Sequence, residues 1–455
     1  MTATPWLNSL GAQAATVLPV LALAAGLLVA LLTLGTVLAR SLGVHQWGIP
    51  EALIGGGLGL LIAPEGLLPL IPQAVIDLWN QLPLILLTLV FGTLLVGKPL
   101  PRPGGLWRPL SAQVLLALSF AFGQYVVAGL AVLLVLQPLL GVAPAMACLI
   151  EVAYEGGHGS AAAMGPIYES LGVEGGTALG LAMATVGLLS STLVGGLVVV
   201  AARRFGWLAP GEPLTLTAAA PAAVDGDAAP AGLAVWAVNL ALAGLGVAIG
   251  VVLLSLLQLV AARVGGGFAV VIDLLPVFPL ALIGSLLVRL VLETTGQAHR
   301  ASKQVQSRLG TLSADLLIVA ATACLDLSLL VRDWLPLAVL AAVGLIWNLA
   351  VLLLLSRRFL PTPWFERGIL EFGQATGVAA SGLLLLNMAD PDDRGDALTP
   401  FSIKQLLLQP LIAGGVITVV APLAVNSWGL PAWTGLCTTL VVLWIGLGLW
   451  LGRAR

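Results

Sequence analysis

The sequence predicts an all-α polytopic membrane protein made of two inverted-topology repeats. Three features lead to this prediction: the composition, the positions of the basic residues and a short internal match. The chain of 455 residues is 59% hydrophobic and 9% charged, whereas soluble domains have about 25% charged residues. Many apolar runs approach or exceed the ~20 residues that cross a ~30 Å hydrocarbon core. The net charge of −2 offers no basic field for a nucleic acid.

Hydropathy separates full spans from two apolar stretches that glycine and polar residues interrupt. The predicted full spans are residues 17–39, 49–63, 80–97, 111–137, 174–201, 233–262, 268–290, 311–330, 335–356, 403–425 and 429–451. The interrupted stretches are residues 144–165 and 368–387. Whether these two stretches cross the membrane decides the topology.

The basic residues indicate the topology, because Lys and Arg accumulate in cytoplasmic loops. With the N-terminus outside and both interrupted stretches re-entrant, all 19 basic residues except Arg263 and Arg332 fall on the cytoplasmic side. If both stretches crossed fully, the basic residues would divide almost equally between the two sides. The sequence therefore predicts two re-entrant hairpins, the first entering from outside and the second from inside.

Entry from opposite faces is what an inverted repeat requires. A local match supports one, since PEALIG at residues 50–55 is similar to PLALIG at residues 279–284. Each half then has four spans, a hairpin and a fifth span. The predicted organisation is a first repeat at 1–202, an Ala- and Pro-rich cytoplasmic linker at 203–232, a second repeat at 233–425 and an additional C-terminal span at 426–455.

The first hairpin carries the most unusual residues of the chain. Residues 151–165 read EVAYEGGHGSAAAMG, which places two carboxylates and a histidine beside glycines that disfavour a helix. Broken backbone at membrane depth is tolerated where it is buried in protein or lines a cavity, and it can present N–H groups to an anion and carbonyls to Na⁺. The alternative is a Gly-rich external loop with incidental charges. The candidate binding residues are Glu155, Gly156, Gly157, His158, Gly159 and Ser160.

Two side chains of this hairpin have specific expectations. Glu151 and Glu155 lie four residues apart and share a helix face. We expect Glu155 to face a cavity, a cation or a partner in its neutral form, because an uncompensated carboxylate in hydrocarbon is costly. For His158 three roles stay open: a hydrogen bond to a substrate, a proton relay, or a structural hydrogen bond that holds the hairpin.

The second hairpin has no charge at its break and supplies neutral groups instead. Its candidate binding residues are Gln374, Thr376, Gly377 and Ser381. Their oxygens suit Na⁺ or a zwitterion, although Ser381 could equally serve helix packing. Possible supporting residues are Gln124, Asn348, Glu151 and Asn387, and weaker candidate ion ligands are Asp315 and Asp326.

The sequence contains no nucleophile–base spacing and no metal-ligand cluster of an enzyme, so no enzymatic activity and no cofactor are predicted. The cysteines, Cys148, Cys324 and Cys437, all fall in apolar segments without the spacing of a metal site. They are interpreted as small core residues.

Three segments together resemble the bacterial sodium/glutamate symporter family. GGHGSAAAMG at residues 156–165 resembles its GGHG-type signature, IPEALIGG at residues 49–56 its early Ile-Pro-Glu element, and GQATG at residues 373–377 its second hairpin. The continuation VAASGLLLLNMADP at residues 378–391 and the final span depart from the family pattern.

The resemblance implies a homodimeric transporter of the bacterial inner membrane that takes up glutamate with Na⁺ by an elevator-like movement. Candidate Na⁺ ligands are the hairpin carbonyls with Thr376 and Ser160. The alternatives are an H⁺-coupled or uncoupled carrier or exporter of another small organic anion, and a channel.

Overall fold

The computed structural model describes residues 5–43, 50–64, 66–98, 107–208, 232–273, 275–325, 331–390 and 393–453. Across these residues the chain forms helices and turns and no strand. The core of the predicted linker, residues 209–231, and Asp326 lie outside the described residues.

The described helices are numbered here in chain order. They are α1 (Pro5–Ser41), α2 (Glu51–Ile62), α3 (Gln73–Trp79), α4 (Leu82–Leu94), α5 (Trp107–Leu140), α6 (Pro144–Tyr154), α7 (Gly157–Ser170), α8 (Gly176–Arg204), α9 (Leu233–Val264), α10 (Gly266–Asp273), α11 (Phe278–Thr294), α12 (Lys303–Ala323), α13 (Trp334–Phe359), α14 (Trp364–Ala389), α15 (Leu398–Leu408), α16 (Val416–Trp428) and α17 (Leu430–Arg453). Short π-helical segments interrupt α5 at Val132–Leu136 and α13 at Val351–Leu355.

Within the described residues, eight helical segments are long and apolar enough to cross a membrane. They are Leu18–Ser41, Gln73–Leu94, Trp107–Leu140, Gly176–Arg204, Leu233–Val264, Trp334–Phe359, Trp364–Ala389 and Leu430–Arg453. The chain is therefore a helical, multi-pass membrane protein. Seven of these segments coincide with predicted full spans, and the segment Trp364–Ala389 contains the second interrupted stretch.

Two spans predicted as continuous helices are broken in the structure. The span at 268–290 is divided between α10 and α11, where Pro276 disfavours a continuous helix. The span at 403–425 is divided between α15 and α16 by the seven non-helical residues 409–415, which include left-handed Ala413 (φ 58°) and Gly414 (φ 93°).

Two further predictions change in length. The span at 49–63 is the 12-residue helix α2, which is shorter than the ~20 residues of a full crossing. The span at 311–330 begins eight residues earlier, at Lys303, and its helix α12 ends at Ala323.

The helices pack into two groups, and each group combines elements from both halves of the sequence. The first helix group contains α1–α4 and α9–α12, and the second helix group contains α5–α8 and α13–α17. Contacts between the groups are made mainly by α7 and α8 against α4 and α12, with α10 touching α16.

Each of the matched hexapeptides places a glycine at a close helix crossing in the first helix group. Gly55 of α2 lies against the backbone of Leu31 in α1, and Gly284 of α11 lies against the backbone of Gly246 in α9. Each of these two glycines is the sixth residue of its hexapeptide. In both crossings a Cβ atom would meet backbone, so glycine lets the two helices approach closely.

Both interrupted stretches reverse the direction of the chain. In α14, Gly377 and Val378 have non-helical dihedral angles, and Gly373 lies against the backbone of Gly382. In a continuous helix these two glycines would be about 13 Å apart, at 1.5 Å per residue. In the first stretch, an ideal Cβ on Gly172 would lie 4.0 Å from the Cβ of Ala143. We call α6–α7 the first hairpin and α14 the second hairpin.

Candidate functional site

The tips of the two hairpins meet each other. Gly157 begins α7 with a left-handed φ of 67°, and the side chain of Val378 occupies the space that a Cβ on Gly157 would need. Val378 itself has a φ of 69°, which is unusual for a β-branched residue. The two breaks in the helical backbone are therefore direct neighbours.

A cavity of about 210 Å³ opens beside these tips, between the two helix groups. The first helix group contributes Pro50, Leu87, Val90, Phe91, Ala314, Leu317 and Ile318. The second helix group contributes Ala153, Gly156, Gly157, His158, Gly159, Ser160, Ala184, Leu188, Gly377, Val378, Gln409 and Ala413. No described lining residue is an Asp, Glu, Lys or Arg. The polar lining consists of His158, Ser160, Gln409 and the glycine backbone.

His158 makes a hydrogen bond that defines its orientation. Its Nε2 lies 3.0 Å from Thr185 Oγ1, and the Thr185 hydroxyl donates to Leu181 O at 2.9 Å. Because a hydroxyl has a single proton, Nε2 of His158 donates to Thr185. In the neutral ring Nδ1 is then an acceptor. One of the three roles expected for His158, the structural hydrogen bond, is present, and the ring also lines the cavity.

Ser160 is the second polar side chain of the lining. It is 2% exposed, and its hydroxyl makes no hydrogen bond to the described residues. It lies in the first turn of α7, and the first N–H groups of an α-helix have no acceptor within the helix. A free hydroxyl and free amides therefore border the cavity at one end of α7.

Two buried amide side chains position the tip of the second hairpin. Gln124 of α5 donates to Asn348 Oδ1 at 3.2 Å and to Ala375 O at 2.7 Å. Asn348 of α13 donates to Ala375 O at 2.9 Å and to Thr376 Oγ1 at 3.0 Å. Both residues were predicted to support the site. In the structure they are hydrogen-bonded to the tip of the second hairpin and are absent from the described cavity lining.

Three of the four predicted binding residues of the second hairpin are absent from the described lining of the cavity. Gln374 accepts a hydrogen bond from Gln405 at 3.1 Å, Thr376 is fully buried, and the Ser381 hydroxyl donates to Gly377 O. Among the predicted residues of this hairpin, Gly377 alone appears in the described lining. Asn387 lies half-buried near the end of α14, away from the cavity.

The two carboxylates of the first hairpin differ in their surroundings. Glu151 is fully buried and accepts hydrogen bonds from Tyr125 Oη at 2.7 Å, Ala413 N at 3.0 Å and Thr418 Oγ1 at 2.9 Å. It thereby fixes the first hairpin to the turn between α15 and α16. Glu155 is 5% exposed, lies outside the described cavity lining and has no hydrogen bond to the described residues.

The buried ion pair between Lys404 and Glu371 was not predicted from the sequence. Lys404 of α15 was counted as a cytoplasmic basic residue, yet its side chain is 2% exposed and its Nζ lies 2.7 Å from Glu371 Oε1. Gln113 donates to Glu371 Oε2 at 2.7 Å, and Lys404 also donates to Gln405 Oε1 at 2.7 Å. One signal was available: Glu371 precedes Gly377 by the same six positions that separate Glu151 from Gly157.

No protein-family model matches the sequence, and no curated protein is similar enough to identify a relative.

The contact between the tips predicts a specific sensitivity at Gly157. Gly157→Ala and Gly141→Ala both place a side chain at φ 67°, but only the first meets another residue, because the space around Gly141 is open. We expect Gly141→Ala to cost about 1–2 kcal/mol of stability from left-handed strain, and Gly157→Ala about 1–3 kcal/mol more from overpacking. Thermal unfolding in detergent measures the difference, and Val378→Ala should restore most of the additional loss. Equal unfolding temperatures for the two variants would contradict the contact.

The Glu371–Lys404 pair predicts a strong non-additivity. Glu371→Gln or Lys404→Met alone leaves a buried, unpaired charge and should cost about 3–5 kcal/mol, whereas the double variant should cost clearly less than the sum. Arg332→Gln, which removes exposed ion pairs with Glu174 and Asp333, should leave the unfolding free energy nearly unchanged, because water screens exposed charges. Denaturant unfolding of the four proteins tests the pair. Additive single effects would show that the two charges do not depend on each other.

Proposed function

We propose that the protein is a secondary active transporter that carries glutamate or a related carboxylate with Na⁺ across the bacterial inner membrane. The observation that carries the proposal is the meeting of two broken helical hairpins at a cavity between two helix groups. Discontinuous helices at membrane depth are typical of substrate and ion sites in secondary transporters, because their free N–H and C=O groups can replace water around a solute.

The proposed architecture is two inverted repeats, each with a re-entrant hairpin. Three pairs of features support it: the reversed chains at Gly157 and Gly377, the π-helical segments in the preceding helices α5 and α13, and the close glycine crossings at Gly55 and Gly284. In each pair one member comes from each half of the sequence. The additional helix α17 packs on α5 of the second helix group.

An elevator-like movement fits the position of the cavity. One wall belongs to α4 and α12 of the first helix group, and the opposite wall belongs to the hairpins and α8 of the second helix group. Movement of the second helix group along the first would carry a bound solute from one side of the membrane to the other. A homodimer that holds the two copies of the first helix group together would provide the fixed frame.

The candidate Na⁺ ligands differ in their availability. The Ser160 hydroxyl is unpartnered among the described residues, whereas Thr376 Oγ1 accepts a hydrogen bond from Asn348. Ser160 with the carbonyl groups of the first tip is therefore the better-supported set. Glu155 could instead compensate a bound cation, since it is a buried carboxylate without a hydrogen bond to the described residues.

H⁺ coupling is the second candidate, and the same Glu155 favours it. A buried carboxylate without a partner can take up a proton as readily as it can face a cation. A channel is less well supported, because two opposed tips that close on one cavity suit alternating access better than a continuous pore.

The proposal predicts Na⁺-driven accumulation of carboxylates, with radiolabelled L-glutamate as the first test, in proteoliposomes with an inward Na⁺ gradient. We expect Glu155→Gln to reduce the Na⁺ dependence of uptake several-fold while the unfolding temperature changes little. Glu169→Gln is the matched control, because Glu169 lies at the other, exposed end of α7, where it accepts hydrogen bonds from Thr177.

Unchanged Na⁺ dependence in Glu155→Gln would contradict the role of Glu155. Two results together would favour H⁺ coupling. The parent protein would respond to a proton gradient and not to Na⁺, and uptake by the Glu155→Gln variant would no longer respond to pH. Failure of the folded parent protein to accumulate any carboxylate with either gradient would contradict secondary transport.

A further inference from the structure

We propose that the cavity between the hairpin tips takes a small solute with one carboxylate, one amine and no net charge, and that it disfavours a second carboxylate. This inference rests on the proposed function for the place of the site and narrows its substrate class. It departs from glutamate, the substrate that the family resemblance implies.

The lining of the cavity argues against a second negative charge. Its volume is about 210 Å³, below the roughly 300–1,000 Å³ of pockets for drug-sized ligands. The wall opposite the tips consists of apolar side chains from α4 and α12, among them Leu87, Phe91 and Leu317. A carboxylate placed against this wall would lose its water without gaining a cation or a hydrogen-bond donor.

The buried cation Lys404 is already engaged in an ion pair. Lys404 donates to Glu371 Oε1 and to Gln405 Oε1, each at 2.7 Å, and it lies over the ring of Phe401. It is not part of the described lining. Recruiting Lys404 to a second substrate carboxylate would leave Glu371 buried without its cation, which is strongly unfavourable.

One end of the cavity suits a single carboxylate. The N-terminus of the 14-residue helix α7 borders it, where free N–H groups and the helix dipole favour an anion. Independently, Ser160 places an unpartnered hydroxyl there, although its side chain is 2% exposed. A buried donor without an acceptor among the described residues is the group that a ligand oxygen can satisfy.

His158 suits the amine. Because its Nε2 donates to Thr185, the other nitrogen of the neutral ring, Nδ1, accepts. An ammonium or amine group provides the complementary donor, whereas a second carboxylate offers only acceptors. The first-turn amides of α7 thus suit the carboxylate of a zwitterion, and the adjacent His158 suits its amine.

The test is direct binding to the purified full-length protein, by calorimetry and by thermal shift, with four probes, of which the first three are of similar size. L-alanine carries both groups, propionate lacks the amine, L-alaninamide lacks the carboxylate, and L-glutamate adds a second carboxylate. We expect L-alanine to bind at least about tenfold more tightly than each of the other three probes. Each of those three probes either leaves a buried polar group unpaired or buries an unpaired charge.

Variants of α7 identify the site. Ser160→Ala should weaken L-alanine binding about tenfold, as expected for the loss of one hydrogen bond to a charged group. Ser170→Ala is the control, because Ser170 is exposed at the far end of the same helix and its hydroxyl donates to Ile167 O. The control should leave the affinity unchanged.

The outcomes separate this inference from the proposed function. Tighter binding of L-glutamate than of L-alanine, with Na⁺-driven glutamate uptake, would overturn the inference and leave the transporter proposal standing. Ser160-dependent L-alanine binding without accumulation under Na⁺ or H⁺ gradients would support the inference and contradict the transporter proposal. Absence of binding by all four probes to folded protein would overturn the inference.

Discussion

The structure depends on satisfying backbone polar groups where two helices break inside an apolar protein. A buried C=O or N–H without a partner is costly, and hydrocarbon offers none. Ala375 O at the second tip therefore receives hydrogen bonds from Gln124 and Asn348, while Ser191 of α8 donates to Gly373 O at 3.2 Å. At the first tip, the amides of Glu155 and Gly156 donate to Glu151 O, whereas Gly157 begins α7, whose first N–H groups have no acceptor within the helix. The two tips therefore differ in how their backbone groups are satisfied.

The buried carboxylates Glu151 and Glu371 also have polar partners, and they stabilise the hairpins from positions outside the described cavity lining. Glu151 connects the first hairpin with Ala413 and Thr418, and Glu371 connects the second hairpin with Lys404. Glu151 accepts three hydrogen bonds, and Glu371 has a cation and a hydrogen-bond donor as partners. As a result the charged groups form a frame around the tips, and the described lining of the cavity itself contains none.

The sequence predicts the features that depend on local composition. It does not predict contacts between residues that are far apart in the chain. Hydropathy places seven of the full spans, and glycine content places both breaks, because each signal is contained within one segment. The break at residues 409–415 was missed although Gly414 and Gly415 lie there, since the apolar run continues across it. The Gln124–Asn348 hydrogen bond joins residues 224 positions apart, and the Glu371–Lys404 pair joins two helices. The sequence alone identifies neither pair, because the residues of each pair are brought together only by the fold. Glu155 was expected at the site because of its place beside the glycines, but it is not among the described residues that line the cavity.

Under the proposed function the second helix group moves along the first with the solute between them, and a reversible cross-link between the two groups measures whether uptake needs this movement. An ideal Cβ on Gly159 of α7 would lie 3.5 Å from Leu87 Cδ1 of α4. In a background without Cys148, Cys324 and Cys437, the pair Gly159→Cys and Leu87→Cys can be bridged by Hg²⁺ in proteoliposomes. Bridging should abolish gradient-driven uptake, a thiol reductant should restore it, and Hg²⁺ should leave each single cysteine variant at its own untreated level of uptake. Undiminished uptake by fully bridged protein would contradict relative movement of the two groups.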